Sequence, residues 1–172
     1  MTSANTAAGP IPAGYHSVTP WIISRDTAGM IDFLMRVFDA EPLGEPVYVE
    51  GGKIGHAEVR IGDSVVMLFD AQDDWVDTPA YLRLYVEDSM ETQRRAVEAG
   101  AEEVTRQTEL FFGDRVGRVR DPFGNLWWIQ TRLVDLEYPE MERRMNDPKF
   151  IEAMRYVSGS KIVPSRCAIL EG

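Results

Sequence analysis

The stretch that decides the fold reads His56-Ala57-Glu58-Val59-Arg60-Ile61-Gly62-Asp63-Ser64-Val65-Val66-Met67-Leu68-Phe69. Its first six residues alternate strictly between polar and apolar side chains, which is typical of a half-buried strand. Gly62-Asp63 supplies a turn, and the apolar run after it indicates a second strand. The stretch therefore predicts two consecutive strands.

The residues before this stretch predict a strand, a helix and a further extended segment. Residues 15–24 read as a strand, and Asp26 is placed to cap a helix in which apolar residues recur at helical spacing. Pro42 and Gly44 are expected to end that helix, and residues 46–50 are expected to be extended. The whole segment is thus predicted as strand, helix and three strands.

The same order of elements recurs beyond the polar linker at 70–79. In this register Thr19 corresponds to Tyr81 and Met67 to Trp128, and the two separations agree to within one residue. An internal duplication of this kind determines the fold class. The prediction is an α+β fold of two βαβββ units, which span residues 15–71 and 79–133.

The segments outside the repeat are predicted to differ from it. Residues 1–14 are rich in Ala, Thr, Ser, Gly and Pro and are expected to form a flexible arm. Residues 135–172 are expected to form a helical tail, with two short helices at 139–144 and 150–154 separated by Asp147-Pro148. The repeat itself, 15–134, is expected to be one domain.

Composition narrows the class of protein. The chain has 172 residues and a formal net charge of −10, and an acidic surface of this kind repels nucleic-acid backbones. Cys167 is the only cysteine, so no disulfide can form within one chain. No window is apolar enough to span a bilayer, and the N-terminus does not resemble a signal peptide. The expectation is a cytoplasmic protein without nucleic-acid or membrane partners.

Several short motifs resemble one known superfamily. They are Val18-Thr19-Pro20-Trp21, Ile31-Asp32-Phe33, Gly55-His56-Ala57-Glu58, Ile61-Gly62-Asp63-Ser64, Gly113-Asp114-Arg115 and Asp121-Pro122-Phe123-Gly124-Asn125-Leu126-Trp127. This set is similar to the glyoxalase/bleomycin-resistance, or vicinal oxygen chelate, superfamily and, within it, to the PhnB-like branch. The resemblance covers residues 15–145 and implies curved mixed sheets around a cavity, the vicinal oxygen chelate fold. It also implies a homodimer.

The resemblance further implies where a metal would bind. Metal-dependent members carry His or Glu ligands on the first and last strand of each unit. The matching positions here are Thr19, Met67, Tyr81 and Trp128. None of these side chains is a competent nitrogen or carboxylate ligand for a divalent ion, and a shift of one residue does not supply one. No metal and no other cofactor are therefore predicted.

Strand alternation predicts which side chains line the cavity once these four positions set the phase. A lining of aromatic and methionine side chains with a few arginines suits a planar ligand with an anionic group, which Arg83 or Arg118 could hold. The predicted ligand-binding residues are Thr19, Trp21, Met67, Phe69, Tyr81, Arg83, Tyr85, Arg118, Trp128 and Gln130.

Two functions remain open at this point. The first is a metal-free protein that binds a small aromatic or anionic molecule, as a sequestering protein or carrier, like antibiotic-binding relatives. The second is a metal-independent enzyme for isomerisation, cyclisation or epimerisation in specialised metabolism, with His56 and Glu58 as an acid/base pair on one strand face. The same two residues are also compatible with a purely structural role. The missing ligands disfavour a third class, a metal-dependent lyase or dioxygenase.

Overall fold

The computed structural model describes residues 9–162, which divide into two compact units on either side of the Thr78–Pro79 bond. The first eight residues of the predicted arm lie outside the described residues. The end of the predicted tail, from residue 163 onward and including Cys167, also lies outside them.

Unit 1 contains one helix on one face of a mixed sheet. Its elements are β1 (Trp21–Ser24), α1 (Thr27–Phe38), β2 (Glu41–Pro42), β3 (Val47–Tyr48), a 3₁₀ turn (Glu50–Gly52), β4 (Ile54–Ile61) and β5 (Ser64–Asp70). The strand order is β1-β5-β4-β2, and β3 also pairs with β4. Helix α1 buries its apolar side, including Met30 and Phe33, against the face that carries Val59 and Leu68.

Two predicted boundaries in unit 1 are wrong. The first strand does not start at residue 15, because regular pairing begins only at Trp21. The first helix ends at Phe38 rather than at Pro42 and Gly44, because Asp39 adopts a left-handed conformation with φ of 53°. Asp tolerates that conformation better than most residues do. Pro42 instead lies in the edge strand β2, where its missing N–H is tolerated.

Unit 2 repeats the plan and adds the tail. Its elements are β6 (Tyr81–Tyr85), α2 (Ser89–Glu98), β7 (Glu102–Glu109), β8 (Asp114–Arg120), β9 (Leu126–Arg132), α3 (Tyr138–Met145) and α4 (Pro148–Ser158). The strand order is β6-β9-β8-β7, and α2 packs against β8, β9 and β7. Within residues 9–162, no helix is long and apolar enough to cross a membrane.

The strand register confirms the duplication and the fold class. In unit 1, β1 is parallel to β5 with Trp21 opposite Met67. In unit 2, β6 is parallel to β9 with Arg83 opposite Trp128. The two pairs are equivalent positions of the repeat. The fold is therefore α+β, with a mixed sheet in each βαβββ unit.

The turn before β9 positions Trp128 by fixing the start of that strand. The carboxylate of Asp121 accepts hydrogen bonds from the backbone N–H groups of Phe123 and Asn125 and from the indole of Trp127. Gly124 takes a positive φ of 93°, which closes the turn without strain. Burial raises the pKa of Asp121, although the hydrogen bonds oppose that shift.

Candidate ligand site

A row of three side chains crosses the sheet of unit 2. Trp128 on β9 lies opposite Arg83 on β6 and opposite Arg118 on β8. The guanidinium carbons of Arg83 and Arg118 lie 4.5 and 3.8 Å from the centroid of the Trp128 ring. Cation–π attraction at these distances holds all three groups together. We call this surface the Trp128 face; its residues are Tyr81, Arg83, Tyr85, Val116, Arg118, Trp128 and Gln130.

A cavity opens at one end of the Trp128 face. Its volume is about 240 Å³, and its walls are Tyr81, Leu82, Arg83, Trp128 and Ile162. Tyr81, Arg83 and Trp128 are among the residues predicted to bind ligand. Leu82 and Ile162 were not predicted, because alternation assigns Leu82 to the other face and no local pattern links Ile162 to the sheet. The structure thus places an exposed guanidinium and a half-buried indole in one cavity.

Arg118 is in a different environment from Arg83. It is only 5% exposed, and its Nη1 donates to the carbonyl oxygen of Val157 and to the hydroxyl of Ser160, both at 2.7 Å. Burial lowers the pKa of the Arg118 guanidinium, and the positive charge of Arg83 adds to that shift. Among residues 9–162, no carboxylate lies within ion-pair distance of either arginine. Two neutral oxygen atoms of the tail therefore accept from Arg118 Nη1, whereas its buried Nε has no hydrogen-bond partner among residues 9–162.

Tyr85 and Gln130 belong to a network around Asp114. The buried carboxylate of Asp114 accepts from the Gln130 amide at 2.9 Å and pairs with Arg132 at 2.8 Å. The hydroxyl of Tyr85 lies 3.5 Å from the same carboxylate. Gln130 is 1% exposed, so its amide is committed to this network. The structure places these two predicted ligand residues next to Asp114 and not in the 240 Å³ cavity.

The equivalent surface of unit 1 is aromatic. The indole N–H of Trp21 donates to the sulfur of Met67, and the Trp21 and Phe69 rings meet edge to face at 5.2 Å. Trp75, which was not predicted, extends this group by an edge contact with Phe69. Trp21 remains 60% exposed. Thr19 is half-buried and precedes β1 rather than lying within it.

In unit 1, Tyr15 forms a polar cluster with two side chains of β4, His56 and Glu58. The Tyr15 hydroxyl donates to Glu58 at 2.5 Å, and His56 Nε2 lies 3.3 Å from the other carboxylate oxygen. The hydrogen bond to Glu58 raises the pKa of Tyr15. His56 and Glu58, which alternation assigns to one face of the strand, thus lie within ion-pair distance of each other. Tyr15 was not predicted as a site residue; it was assigned to the first strand, but it lies before β1, and its contact with Glu58 joins residues 43 positions apart.

The four positions that the resemblance assigns to metal ligands do not fit a divalent ion. The Met67 sulfur already accepts the Trp21 N–H, and two guanidinium cations lie over the Trp128 ring, where they would repel a cation. Thr19 and Tyr81 offer only neutral hydroxyls, which are poor ligands unless deprotonated. In the described part of the chain, no three His, Cys, Asp or Glu side chains are grouped closely enough to hold a metal.

Comparison with known proteins identifies the family of this chain. The family model described as the glyoxalase/bleomycin resistance protein/dioxygenase superfamily matches residues 14–129. The uncharacterized protein Mb0911c of Mycobacterium bovis is 33% identical over 141 residues, which cover 76% of this chain and 92% of that protein. The uncharacterized protein Rv0887c of Mycobacterium tuberculosis is also 33% identical over 141 residues, covering 76% of this chain and 82% of that protein.

Solved structures agree with the family match. TioX from Micromonospora sp. ML1 superposes with a TM-score of 0.57 and 26% identity, covering 67% of this chain and 97% of TioX. The fosfomycin resistance protein FosX of Listeria monocytogenes, in complex with Mn(II) and sulfate, shares the fold with a TM-score of 0.53 and 13% identity over 73% of this chain and 95% of FosX. A PhnB protein from Bacillus cereus shares it with a TM-score of 0.54 and 17% identity, over 67% of this chain and 99% of its own. Membership of the PhnB branch stays a prediction, but the chain belongs to the glyoxalase/bleomycin resistance protein/dioxygenase superfamily.

Proposed function

We propose that this protein binds a small aromatic or anionic molecule without a metal ion, as a sequestering protein or carrier in the cytoplasm. The observation that carries the proposal is the cavity in unit 2, where an exposed Arg83 lies over Trp128. The indole gives a flat apolar surface for stacking, and the guanidinium gives a charge-assisted hydrogen bond to an anionic group. Arg83 has no carboxylate partner among residues 9–162, so it is available to a ligand.

The residues at the metal-ligand positions favour binding of a small molecule over metal-dependent chemistry. Met67 and Trp128 replace the ligands that a metal-dependent member would need, and both side chains are engaged in other contacts. An antibiotic resistance protein, FosX, shares the fold at 13% identity, but its structure contains Mn(II), so the metal-free proposal rests on the residues of this chain. A role in removing or carrying a toxic or biosynthetic small molecule is consistent with such a relative.

Native mass spectrometry of the protein isolated from its own host tests this function. We expect a co-purified small molecule with an aromatic ring or an anionic group, which rebinds unchanged after extraction. Trp128→Ala should weaken its binding by at least about tenfold, because stacking and buried apolar area are both lost. Arg83→Met should weaken an anionic ligand by about tenfold or more, since a charge-assisted hydrogen bond is lost.

The control for these variants is Arg94→Met, which removes an arginine on α2 that does not line the cavity. Unfolding of each variant is measured in parallel, because Trp128 also packs against the tail. Folded Trp128→Ala and Arg83→Met proteins that bind the co-purified ligand as tightly as the parent would place the pocket elsewhere.

The cluster in unit 1 favours a second candidate, a metal-independent acid/base enzyme. Glu58 accepts the Tyr15 hydroxyl and lies next to His56, an arrangement that can orient an imidazole for proton transfer. Isomerisation, cyclisation or epimerisation would then be the reaction. Conversion of the co-purified molecule by the parent, and its loss in His56→Gln and Glu58→Gln, would favour this candidate over a pure binder.

A further inference from the structure

Helix α4 lies on the Trp128 face. Its residue Val157 is buried with Leu110 and Val116, and Trp128 packs against this cluster. The tyrosine hydroxyl of Tyr156 accepts from the backbone N–H of Arg106 on β7 at 3.0 Å. The match to the family model ends at residue 129, so this cover is built by residues that the family model does not describe.

The last turn of α4 and Ser160 just beyond it provide the two oxygen atoms that accept from Arg118 Nη1. The carbonyl groups at the end of a helix carry partial negative charge, and the Val157 carbonyl belongs to the last turn. This partial charge offsets part of the Arg118 charge and holds the buried side chain under the tail. Of the two arginines over Trp128, only Arg83 is exposed and lines the cavity.

The chain just beyond α4 is held at the rim of the cavity. Arg120 Nη2 donates to the carbonyl oxygen of Ile162 at 3.1 Å, while its Nη1 donates to Gly124 at 3.3 Å. This hydrogen bond holds the backbone of Ile162 in place, and Ile162 forms one wall of the cavity. At about 240 Å³ the cavity is smaller than the ~300–1,000 Å³ of pockets for drug-sized molecules.

From these contacts we infer that Ile162 and the carboxyl end of α4 determine ligand specificity. Ile162 limits the ligand to a single ring, and the burial of Arg118 outside the cavity wall limits the anionic recognition to one charge, at Arg83. The ligand class is therefore a single-ring aromatic monoanion. The inference rests on the proposed binding function, because it assigns the substrate class of the same cavity.

The size limit is tested with benzoate and 1-naphthoate as probes, by ligand-observed NMR titration. The parent should bind benzoate more tightly than 1-naphthoate. Ile162→Ala should shift the ratio of the two dissociation constants toward 1-naphthoate by at least fivefold, and Ile162→Trp should weaken both. The matched control is Ile151→Ala, which truncates an exposed isoleucine on α4 away from the cavity. An unchanged ratio in Ile162→Ala would overturn the size limit.

The charge limit is tested on the unmodified protein, which avoids variants of the buried Arg118. Phthalate, a dianion on one ring, should bind no more than threefold tighter than benzoate, because only Arg83 is available to it. Phthalate binding more than tenfold tighter would mean that Arg118 also contacts ligand, and would overturn the inference.

The two levels of the proposal fail in different ways. Benzoate binding that depends on Arg83 but is insensitive to Ile162 would reject this inference and leave the binding function standing. No binding of benzoate, 1-naphthoate or phthalate at millimolar concentration, in the parent or in Ile162→Ala, would reject the single-ring class. Native mass spectrometry of the host-derived protein would then decide the binding function separately.

Discussion

At the scale of single residues, the polar side chains of unit 2 are fixed by close contacts that leave little space. Gly117 on β8 is an example, because a Cβ added there would lie 1.8 Å from Gln93 Oε1 and 2.5 Å from Gln107 Nε2. Gln93 is 3% exposed and donates to Glu103 and to the carbonyl oxygen of Thr105. The glycine interrupts the apolar pattern of its strand because a glutamine of α2 fills that space.

Gly117→Ala is expected to lower the free energy of unfolding by about 1–3 kcal/mol, since the methyl group overpacks a filled site. Urea denaturation of the purified variant measures this. In a Gln93→Ala background the same substitution should cost less, because the clashing amide is gone. Equal costs in both backgrounds would show that Gln93 does not cause the effect.

At the scale of elements, the tail helices are held by different forces. Helix α4 is held by apolar burial of Phe150 and Val157, which are 6% and 3% exposed. Helix α3 has no buried residue. Glu140 pairs with Arg143 and Arg144 inside the helix, and Arg144, 3.6 Å from Glu109 on β7, links the helix to the sheet. The two helices should therefore respond to different perturbations.

Val157→Ala is expected to lower the free energy of unfolding by about 1–3 kcal/mol, because it leaves a cavity against Leu110 and Val116. Hydrogen exchange of the α4 amides should accelerate as well. Ile151→Ala, on the exposed side of the same helix, is the control and should change stability by less than about 0.5 kcal/mol. Equal effects of the two substitutions would contradict the docking of α4 through Val157.

A pH effect is expected in α3. Hydrogen bonds from Arg143 and Arg144 lower the pKa of Glu140 to about 2. Because the folded pKa lies below the ordinary value of about 4.3, the stabilisation is complete above that value and is lost as the pH falls toward 2. Parent and Glu140→Gln should thus differ in unfolding midpoint at pH 6 and converge near pH 2. Glu142→Gln, an exposed acid of the same helix, serves as control, and a constant difference at all pH values would contradict the charge argument.

At the scale of the whole molecule, the donor set predicts the metal content. Because Thr19, Met67, Tyr81 and Trp128 supply no carboxylate or imidazole, we expect no stoichiometric divalent metal. Elemental analysis of protein purified without chelator measures zinc, nickel, iron and manganese directly. Near-stoichiometric metal that disappears in Met67→Ala or Tyr81→Phe would contradict the proposal.

A homodimer remains our proposal for the assembly. The family resemblance supports it. Apolar residues of the tail would also favour it if they were left uncovered, but only some of them are. Phe150 and Met154 are covered within unit 2, but Met145 and Ile151 stay 52% and 44% exposed. Sedimentation velocity should show a species of twice the monomer mass at micromolar concentration, and a monomer at every concentration would contradict this.

The sequence by itself determined the fold class and the composition of the sheet faces. Side-chain alternation has a period of two, so one assigned position sets the direction of every other residue on the strand. That is why alternation assigns Arg83 and Trp128 to one face, whereas the strand order came from the structure. The helix cap at Asp26 was predictable for a different local reason, because capping depends on a few adjacent residues.

Only the tertiary structure decided what meets these faces. The contacts of Arg118 with Val157, of Arg120 with Ile162 and of Tyr15 with Glu58 join residues that are 39, 42 and 43 positions apart. No local periodicity encodes such contacts, because they depend on where α4 and the segment before β1 pack. The same physics separates two arginines that alternation makes equivalent. Packing of α4 buries Arg118 against the Val157 carbonyl, while Arg83 stays exposed in the cavity.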